Sequence, residues 1–385
     1  MIYLDHAATS FPKAPEVAER VAEAITSYAA NPGRGSHKLA KQSAQVVSAA
    51  RSELAKLFDV PSPERVVFTS SATHALNIAI HTLKLNAGDH VIATTLEHNS
   101  VRRPLEDLAL RLNVKITWLE PTLNGEILYE QWQEAATEAT KAVVTCHGSN
   151  VTGTVLNLQP LQLFIENTGL PWVLDASQTA GVLPVHLQKL GASMVACPGH
   201  KGLLGPQGTG VLLLGEQVEP IPFLHGGTGM QSEAKQMPEQ LPERLEAGTL
   251  NTPGIVGLLA GIEEVSRLGL SSIYEHERQL TERIVTAFAE IDGLEVYGPD
   301  LESERLGVVA FKMKGVDAQE AALIFDSHYD ICLRSGLHCS PLAHGWIKTS
   351  PEGLLRASVG PYTTKEEIDT FIRAAIEIYE GLRMS

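Results

Sequence analysis

The chain has 385 residues, 44% of them hydrophobic, which is enough for about two or three globular domains with a sizeable core. Its 45 acidic residues outnumber its 30 lysines and arginines, giving a net charge of −15, and no long basic run offers contacts to a phosphate backbone, so we expect no nucleic-acid partner. The four cysteines form no CxxC pair and are too sparse for a disulfide framework, which predicts reduced thiols.

The start of the chain has no cationic region followed by an apolar core. No uninterrupted apolar stretch is long enough to cross a bilayer. We therefore expect a cytoplasmic protein without a membrane partner.

Apolar spacing predicts helices over 16–30 and 38–58, and then a short β-branched strand over 65–69. Strand-like and helical stretches alternate after that point. Strands are expected at 90–94, 115–118, 142–146, 172–174, 192–196 and 210–214, and helices at 75–85, 101–112 and 130–140. This alternation favours an α/β fold with a mostly parallel sheet that is covered by helices on both faces.

Residues 215–253 are rich in Gly, Pro, Glu and Gln and have no sustained period, so we interpret them as loops near a site. A long helical region is expected over 255–291. Strands at 293–297 and 307–312 and helices at 318–328 and 365–382 then indicate a smaller α+β unit. The first dozen residues could belong to either unit.

Lys201 follows a Gly-His pair, and Asp175 closes an earlier apolar run at 171–174. A lysine amine can hold an aldehyde cofactor as a Schiff base, while a carboxylate pins the nitrogen of a pyridinium ring. For either residue alone, an exposed turn lysine or a strand-end aspartate is the simpler interpretation.

Polar residues also follow other predicted strands. Thr73 opens a helix, where hydroxyl and backbone N–H groups can bind phosphate or merely cap the helix. His98 could stack on an aromatic cofactor and move protons, or cap the next helix. Because Asn150 and Asp175 follow two further strands, we expect all four residues to meet at one edge of the sheet.

Cys339 is expected in a Gly-containing loop after a strand at 331–333. Exposure and the nearby Arg334 and His338 favour its thiolate, which is the form that attacks. The other cysteines are expected to be small buried hydrophobic residues: Cys146, Cys197 and Cys332.

No metal site is predicted, because HExxH is absent and His338, Cys339 and His344 lack the second cysteine pair of a zinc site. Walker and GxGxxG patterns are absent as well, which argues against nucleoside triphosphates and dinucleotides.

Separated motifs along the whole chain agree in order and spacing with one family. They are Tyr3-Leu4-Asp5-His6-Ala7-Ala8-Thr9, Ser71-Ala72-Thr73, Glu97-His98, Ser149-Asn150, Asp175-Ala176-Ser177-Gln178, Gly199-His200-Lys201, Glu246-Ala247-Gly248-Thr249, Arg334-Ser335-Gly336-Leu337-His338-Cys339 and Arg356-Ala357-Ser358. In these residues the chain resembles the pyridoxal-phosphate-dependent cysteine desulfurases of the class V aminotransferase group. Its compact cysteine segment looks like the SufS-like, or group II, branch.

The resemblance implies fold type I, with a mostly parallel seven-stranded sheet in a large cofactor-binding domain over 16–255. It also implies a small C-terminal domain over 256–385, together with 1–15, which carries the nucleophilic cysteine. Such proteins are homodimers with shared active sites. The implied cofactor is pyridoxal 5′-phosphate.

Roles carry over position by position. The resemblance implies that Lys201, Cys339 and His98 are catalytic. It also implies that Lys201 holds the cofactor and that Asp175 binds the ring N–H. His98 is implied to stack on the ring, and Gln178 to reach the phenolic oxygen. The implied phosphate ligands are Ala72, Thr73 and His200, with Gly248 and Thr249 supplied by the partner subunit. The implied substrate ligands are Asn150, Arg356 and Arg334.

The implied reaction takes sulfur from L-cysteine, giving L-alanine and a persulfide on Cys339 for an acceptor, in sulfur mobilisation such as iron–sulfur cluster assembly. A selenocysteine lyase or a cysteine/cystine C–S lyase, which release the chalcogen directly, is an alternative. A non-catalytic dimeric scaffold or an aminotransferase or kynureninase-like enzyme are others, because a fold does not determine chemistry. Pro198 stands where the family commonly has Ser or Thr and Leu250 where many members have Pro, so the phosphate site is expected to rely more on backbone N–H groups.

Overall fold

The computed structural model describes residues 1–33 and 35–384. Its strands are β1 (Ile2–Tyr3), β2 (Val66–Thr69), β3 (His90–Thr94), β4 (Lys115–Leu119), β5 (Thr140–Cys146), β6 (Trp172–Asp175), β7 (Met194–Pro198), β8 (Gly210–Leu214), β9 (Leu294–Tyr297), β10 (Val308–Met313), β11 (Ile331–Cys332), β12 (Arg334–Gly336) and β13 (Leu354–Ser358). Its α-helices are α1 (Pro15–Glu23), α2 (Lys38–Leu57), α3 (Ala72–Thr82), α4 (Asn99–Leu112), α5 (Tyr129–Ala135), α6 (Gln159–Thr168), α7 (Leu187–Leu190), α8 (Thr252–Leu268), α9 (Leu270–Ala289), α10 (Ala318–Tyr329), α11 (Pro341–Trp346) and α12 (Lys365–Met384).

Seven strands form the larger sheet, in the order β2-β8-β7-β6-β5-β3-β4. The five strands from β7 to β4 run parallel, and β8 is antiparallel to both of its neighbours. The predicted α/β fold with a mostly parallel seven-stranded sheet is therefore confirmed.

Helices cover both faces of this sheet, which explains why its inner strands are buried along their whole length. On one face, α2, α5, α6 and α8 pack against side chains such as Trp172 and Leu174. On the other face, α3 and α4 pack against Val91 and Val173. The carboxyl ends of the parallel strands are left at one edge, where ligands bind in such sheets.

A second sheet, β12-β13-β10-β9, is antiparallel and packs against α9, α10 and α12. Four phenylalanine rings meet in its core: Phe288, Phe311, Phe325 and Phe371. The N-terminal residues join this unit, because β1 pairs with β11 and Leu4 is buried in the same core. The domain boundary near 255 stays a prediction, and α8 crosses it while packing Leu258 and Ile262 into the larger core.

The structure departs from the expected elements in several places. The helical region at 255–291 consists of two helices that are separated at Gly269. The φ of this residue is 82°, in the left-handed region that favours glycine. Helix α6 and strand β13 were not predicted, since α6 has only three buried positions and β13 contains the charged Arg356. Arg334–Gly336 is strand β12 instead of a loop. The prediction of a buried Cys332 is wrong, because the β1–β11 edge leaves it partly exposed.

Candidate active site

Polar side chains meet in a cavity of about 210 Å³ at the carboxyl ends of β3, β5, β6 and β7. Of the residues proposed from the sequence, the cavity is lined by Ala72, Thr73, His98, Asn150, Asp175, Gln178, His200, Lys201, Arg334 and Arg356. The expectation that Thr73, His98, Asn150 and Asp175 meet at one edge thus agrees with the structure.

Three of the proposed residues lie outside this cavity. Cys339 lines an adjoining groove, which shares Thr73 and His98 with the cavity. Gly248 and Thr249 are exposed, and Gly248 lines a different cavity. A single chain therefore does not bring these two residues to its own site.

Asp175 and Lys201 occupy the centre of the cavity. The Asp175 carboxyl is only 4% exposed, and its Oδ1 accepts hydrogen bonds from the backbone N–H (2.9 Å) and the hydroxyl of Ser177. It forms no ion pair with any residue in 1–33 or 35–384. Burial lowers the pKa of Lys201 to about 8, with Asp175 raising it and the positive charges of Arg356 and Arg334 lowering it. Its amine is therefore more easily deprotonated than that of an exposed lysine.

A hydrogen-bond chain fixes the ring of His98. The backbone N–H of Ser100 donates to His98 Nδ1 at 3.1 Å, so the neutral ring carries its proton on Nε2. The Ser100 hydroxyl lies 2.8 Å from the same Nδ1 and 2.7 Å from Thr73 Oγ1. Burial lowers the pKa of His98, which keeps the ring neutral. Ser100 thus connects the imidazole to the start of α3.

The start of α3 offers N–H groups to an anion. Ser71 caps the helix by accepting from the His74 N–H at 3.2 Å, while the N–H groups of Ala72 and Thr73 have no partner within the helix. Close approach of β8 to this turn requires Gly210, because a Cβ there would lie 2.4 Å from the Ser71 carbonyl carbon.

His200 lines the same cavity. Its Nδ1 lies 3.1 Å from Thr9 Oγ1, and burial together with the charges of Lys201 and Lys13 lowers its pKa to about 4. Lys13 Nζ donates to the His200 carbonyl oxygen at 2.8 Å. His200 is therefore neutral, and contacts from the N-terminal segment hold it in place.

Arg356 is a buried guanidinium whose hydrogen-bonding capacity is only partly used. It is 1% exposed, with Nη1 donating to the Asn150 carbonyl at 2.9 Å and Nη2 paired with the Asp5 carboxylate. Its Nε is buried without a hydrogen-bond partner among the described residues. An unsatisfied buried donor of this kind suits a ligand carboxylate.

The Cys339 thiol is exposed at the rim of the cavity. Its backbone has a φ of 61°, and the preceding His338 a φ of 49°, so two consecutive non-glycine residues are left-handed. The carbonyl of Cys339 accepts from the Asn99 N–H at 2.8 Å, and Arg334 Nη2 lies 3.8 Å from Sγ. The thiol is thus held in a fixed loop beside a cation.

His338 does not add a second charge beside this thiol, so that part of the expectation is wrong. Burial and the charge of Arg356 lower the pKa of His338 to about 2. Its ring stacks on that of His344, with 3.4 Å between Nδ1 of His338 and Nε2 of His344. The pair is a neutral, buried support for the loop.

Sequence reasoning missed Ser100, Asp5 and His344 as site residues. Ser100 could have been found from its place two residues after His98 at a helix start, which is an N-cap pattern. Asp5 lies in the N-terminal motif but was given no role, because its contact to Arg356 joins distant parts of the chain, and His344 was weighed only as a metal ligand although it lies against His338.

Residues 1–33 and 35–384 contain neither a candidate metal site nor a candidate membrane-spanning helix. None of their His, Cys, Asp and Glu side chains gather in threes as a metal ion would require. Within the same ranges, every helix is too short or too polar to traverse a lipid bilayer.

Comparison with known proteins identifies one family. The family model described as Aminotransferase class-V matches residues 2–371. A probable cysteine desulfurase of Methanothermobacter thermautotrophicus is 34% identical over 95% of this chain and 92% of the relative. A probable cysteine desulfurase of Pyrococcus abyssi is 32% identical, with 100% of this chain and 96% of the relative covered.

A solved structure agrees. The apo structure of a cysteine desulfurase from Thermococcus onnurineus NA1 superposes with a TM-score of 0.91 at 32% identity. The match covers 99% of this chain and 95% of the other.

Proposed function

Since this chain belongs to the class V aminotransferase family, among its cysteine desulfurases, we propose that it removes the sulfur atom of L-cysteine and leaves L-alanine. The observation that carries the proposal is the position of Cys339 in the groove that adjoins the cavity with Lys201 and Asp175. An amine, a buried carboxyl and an accessible thiol are the three side-chain groups that this reaction uses.

The side chains of the cavity fit pyridoxal 5′-phosphate. Asp175, a buried carboxyl without an ion pair, suits a protonated ring nitrogen, and Lys201, with its lowered pKa, suits an aldehyde. His98 suits the face of the ring and Gln178 the phenolic oxygen. When bound, this cofactor supplies an aldehyde for the substrate amine and a ring that withdraws electrons from the substrate carbons.

The phosphate fits the start of α3. Ala72 and Thr73 offer N–H groups there, and His200 lines the same cavity. These donors support a phosphate site although Pro198, which lines the cavity, brings no hydroxyl.

Arg356, Asn150 and Arg334 are proposed to bind the substrate carboxylate. Arg356 has its unpartnered Nε, and Asn150 keeps one amide hydrogen beyond the bond that it donates to His338. Arg334 contributes a guanidinium that forms no ion pair among the described residues. The charges select an amino acid over a simple amine.

The chain's own residues then divide the reaction. Lys201 accepts and returns protons at the substrate carbons, a task suited to a pKa of about 8. The Cys339 thiolate attacks the substrate sulfur, so that an S–S bond forms while the C–S bond breaks. The electron pair of the C–S bond stays with carbon, which takes a proton and becomes the methyl group of alanine. Cys339 is left as a persulfide for an acceptor.

A homodimer is part of the proposal. Gly248 and Thr249 are exposed and lie apart from the cavity of their own chain, which supports their supply to the phosphate site of a second copy. The division into a large unit over 16–255 and a small unit over 256–385, with 1–15, is proposed on the same footing.

Replacement of Cys339 by Ala tests the function. The variant is expected to lose alanine formation from L-cysteine, whereas Cys332→Ser, at the other accessible thiol, is expected to retain it. Full turnover by Cys339→Ala, with sulfide or selenide released directly, would favour the C–S lyase or selenocysteine lyase alternative.

A further inference from the structure

A groove of about 430 Å³ connects the cavity with the outside at Cys339. Thr73, His98 and Ser100 line both spaces, and the outer part of the groove is formed by α3 and α4, with Asn77, Arg103 and Asp107. Cys339 lines only the groove. The thiol therefore lies on the groove side of these shared residues, and Lys201 lies on the cavity side.

The backbone around Cys339 keeps the thiol in this position. Its carbonyl accepts from the first N–H of α4, that of Asn99, at 2.8 Å, and the carbonyl of His338 accepts from Asn150 Nδ2 at 2.7 Å. These bonds hold two consecutive left-handed residues in place. The loop is thus tied to the start of α4 and to Asn150, so a molecule that reacts with Cys339 must enter the groove.

One guanidinium lies beside the thiol and another lines the groove. Arg334 lies 3.8 Å from Sγ, and Arg103 is exposed on α4; neither forms an ion pair with any residue that the structure describes. The one acidic residue of the groove, Asp107, is paired with Arg111 at 2.6 Å. In a chain with a net charge of −15, this is a local site for an anion.

The field of Arg103 reaches into the site. Burial is the main cause of the lowered pKa of His98, and the positive charges of Lys201, Arg334 and Arg103 each lower it further, while Asp175 opposes them. Arg103 thus influences a ring that lines both the cavity and the groove. It can act on a molecule bound between them.

We propose that the groove admits a low-molecular-weight thiol that carries carboxylates, and that this thiol takes the sulfur from Cys339. The proposal rests on the proposed function, which supplies the Cys339 persulfide. A volume of about 430 Å³ suits a small molecule. The carboxylates pair with Arg103, and the thiolate approaches Sγ past Arg334.

The transfer is balanced without an oxidant or a reductant. The acceptor thiolate attacks the outer sulfur of the persulfide, so one S–S bond forms as the bond to Cys339 Sγ breaks. The electron pair of the broken bond goes to Cys339, which returns as thiolate, and the acceptor leaves as a small persulfide with the proton of the outer sulfur.

The binding step can be tested without desulfurase activity. Apoprotein in a Cys332→Ser background, which removes the other accessible thiol, is treated with anionic dithiobis(nitrobenzoate) or with uncharged dithiodipyridine. We expect Arg103→Gln to slow the reaction of Cys339 with the anionic reagent roughly threefold to tenfold. The rate with the uncharged reagent should stay unchanged, and added salt should reduce the effect of the substitution on the anionic rate. Arg103→Lys is expected to keep most of the anionic rate, and Arg373→Gln on α12 is the matched control.

The proposal would be overturned if each reagent reacted with Arg103→Gln as fast as with the wild type. The same holds if Arg103→Gln slows both reagents alike, because that outcome reports a disturbed loop. Neither result depends on turnover of L-cysteine, so the proposed function is not at stake in this arm.

A second arm uses the cofactor-loaded enzyme and L-cysteine, with mercaptosuccinate, mercaptoethanol or a cysteine-bearing protein as acceptor. We expect the ratio of the mercaptosuccinate rate to the mercaptoethanol rate to fall severalfold in Arg103→Gln, since intrinsic thiol reactivity cancels in that comparison. Absence of any persulfide would contradict the proposed function instead. A persulfide that only the protein thiol discharges would overturn the small-thiol proposal.

Discussion

The side-chain amide of Asn150 donates a 2.7 Å hydrogen bond to the carbonyl of His338, the residue that precedes Cys339. Its Oδ1 accepts a hydrogen bond from the Ser340 hydroxyl, also at 2.7 Å, so the amide binds the loop on both sides of Cys339. Asn150 also lines the cavity. A residue that the family resemblance assigns to the substrate is thus equally a support of the nucleophile.

We predict that Asn150→Ala loosens this loop. The His338 carbonyl would lose its donor, at a cost of about 1–3 kcal/mol for an unsatisfied buried group. Hydrogen exchange should rise over 337–341, and persulfide formation should fall. Asn157→Ala, which removes an amide bound to Glu126 away from the site, is the control. Unchanged exchange at 337–341 would show that the other contacts hold the loop by themselves.

Ser100 gives a second prediction. Ser100→Ala removes the hydroxyl between His98 and Thr73, at about 1 kcal/mol, while the backbone N–H to Nδ1 remains. We expect weaker retention of pyridoxal phosphate and a changed visible spectrum of the loaded protein, with Ser100→Thr close to wild type. Ser52→Ala, on an exposed helix face, should change neither. Identical spectra for wild type and Ser100→Ala would argue against a role of this hydrogen-bond chain in holding the cofactor.

The amine of Lys201 should react at unusually low pH. With its pKa lowered to about 8, the neutral amine appears as pH rises through that value, whereas an ordinary lysine requires about pH 10. Peptide mass spectrometry after brief treatment of apoprotein with an amine-reactive reagent gives the titration curve. Asp175→Asn should move the curve to lower pH and Arg334→Gln to higher pH, since the two charges act in opposite directions. Shifts of the same sign would contradict the electrostatic explanation.

Glu277 should make stability depend on pH. Burial raises its pKa to about 8, and its carboxyl has no hydrogen-bond or ion-pair partner among the described residues. The folded state therefore holds a proton that the unfolded chain releases near pH 4.5. Stability from this group is fully present below about pH 4.5 and is lost as pH rises toward 8. Over that pH range we expect the melting temperature to fall less for Glu277→Gln than for the wild type. Glu275→Gln, exposed on the same helix, should behave like wild type.

Local patterns were sufficient to predict the larger sheet and much of the site. Strand β6 is a short apolar run that ends at Asp175, and periodic spacing marked most of the helices that cover the sheet. Because parallel strands end at one edge, the polar residues after β3, β5 and β6 could be expected to meet there. The family resemblance of the separated motifs then implied the cofactor.

The remaining features depend on contacts between distant residues. Asp5 pairs with Arg356, and Asn150 reaches the loop of Cys339, across separations that no periodic pattern reveals. The short strand Arg334–Gly336 forms only because β13 lies beside it. His338 was expected to be a charged neighbour of the thiol, but its burial against His344 keeps it neutral.

Mass spectrometry of the cofactor-loaded protein after brief exposure to L-cysteine tests the central claim most directly. The account predicts a one-sulfur increment on the peptide that contains Cys339, absent in Cys339→Ala and removed by a reducing thiol. Formation of alanine while that peptide stays unmodified, in a protein whose Cys339→Ala variant turns over equally fast, would contradict it.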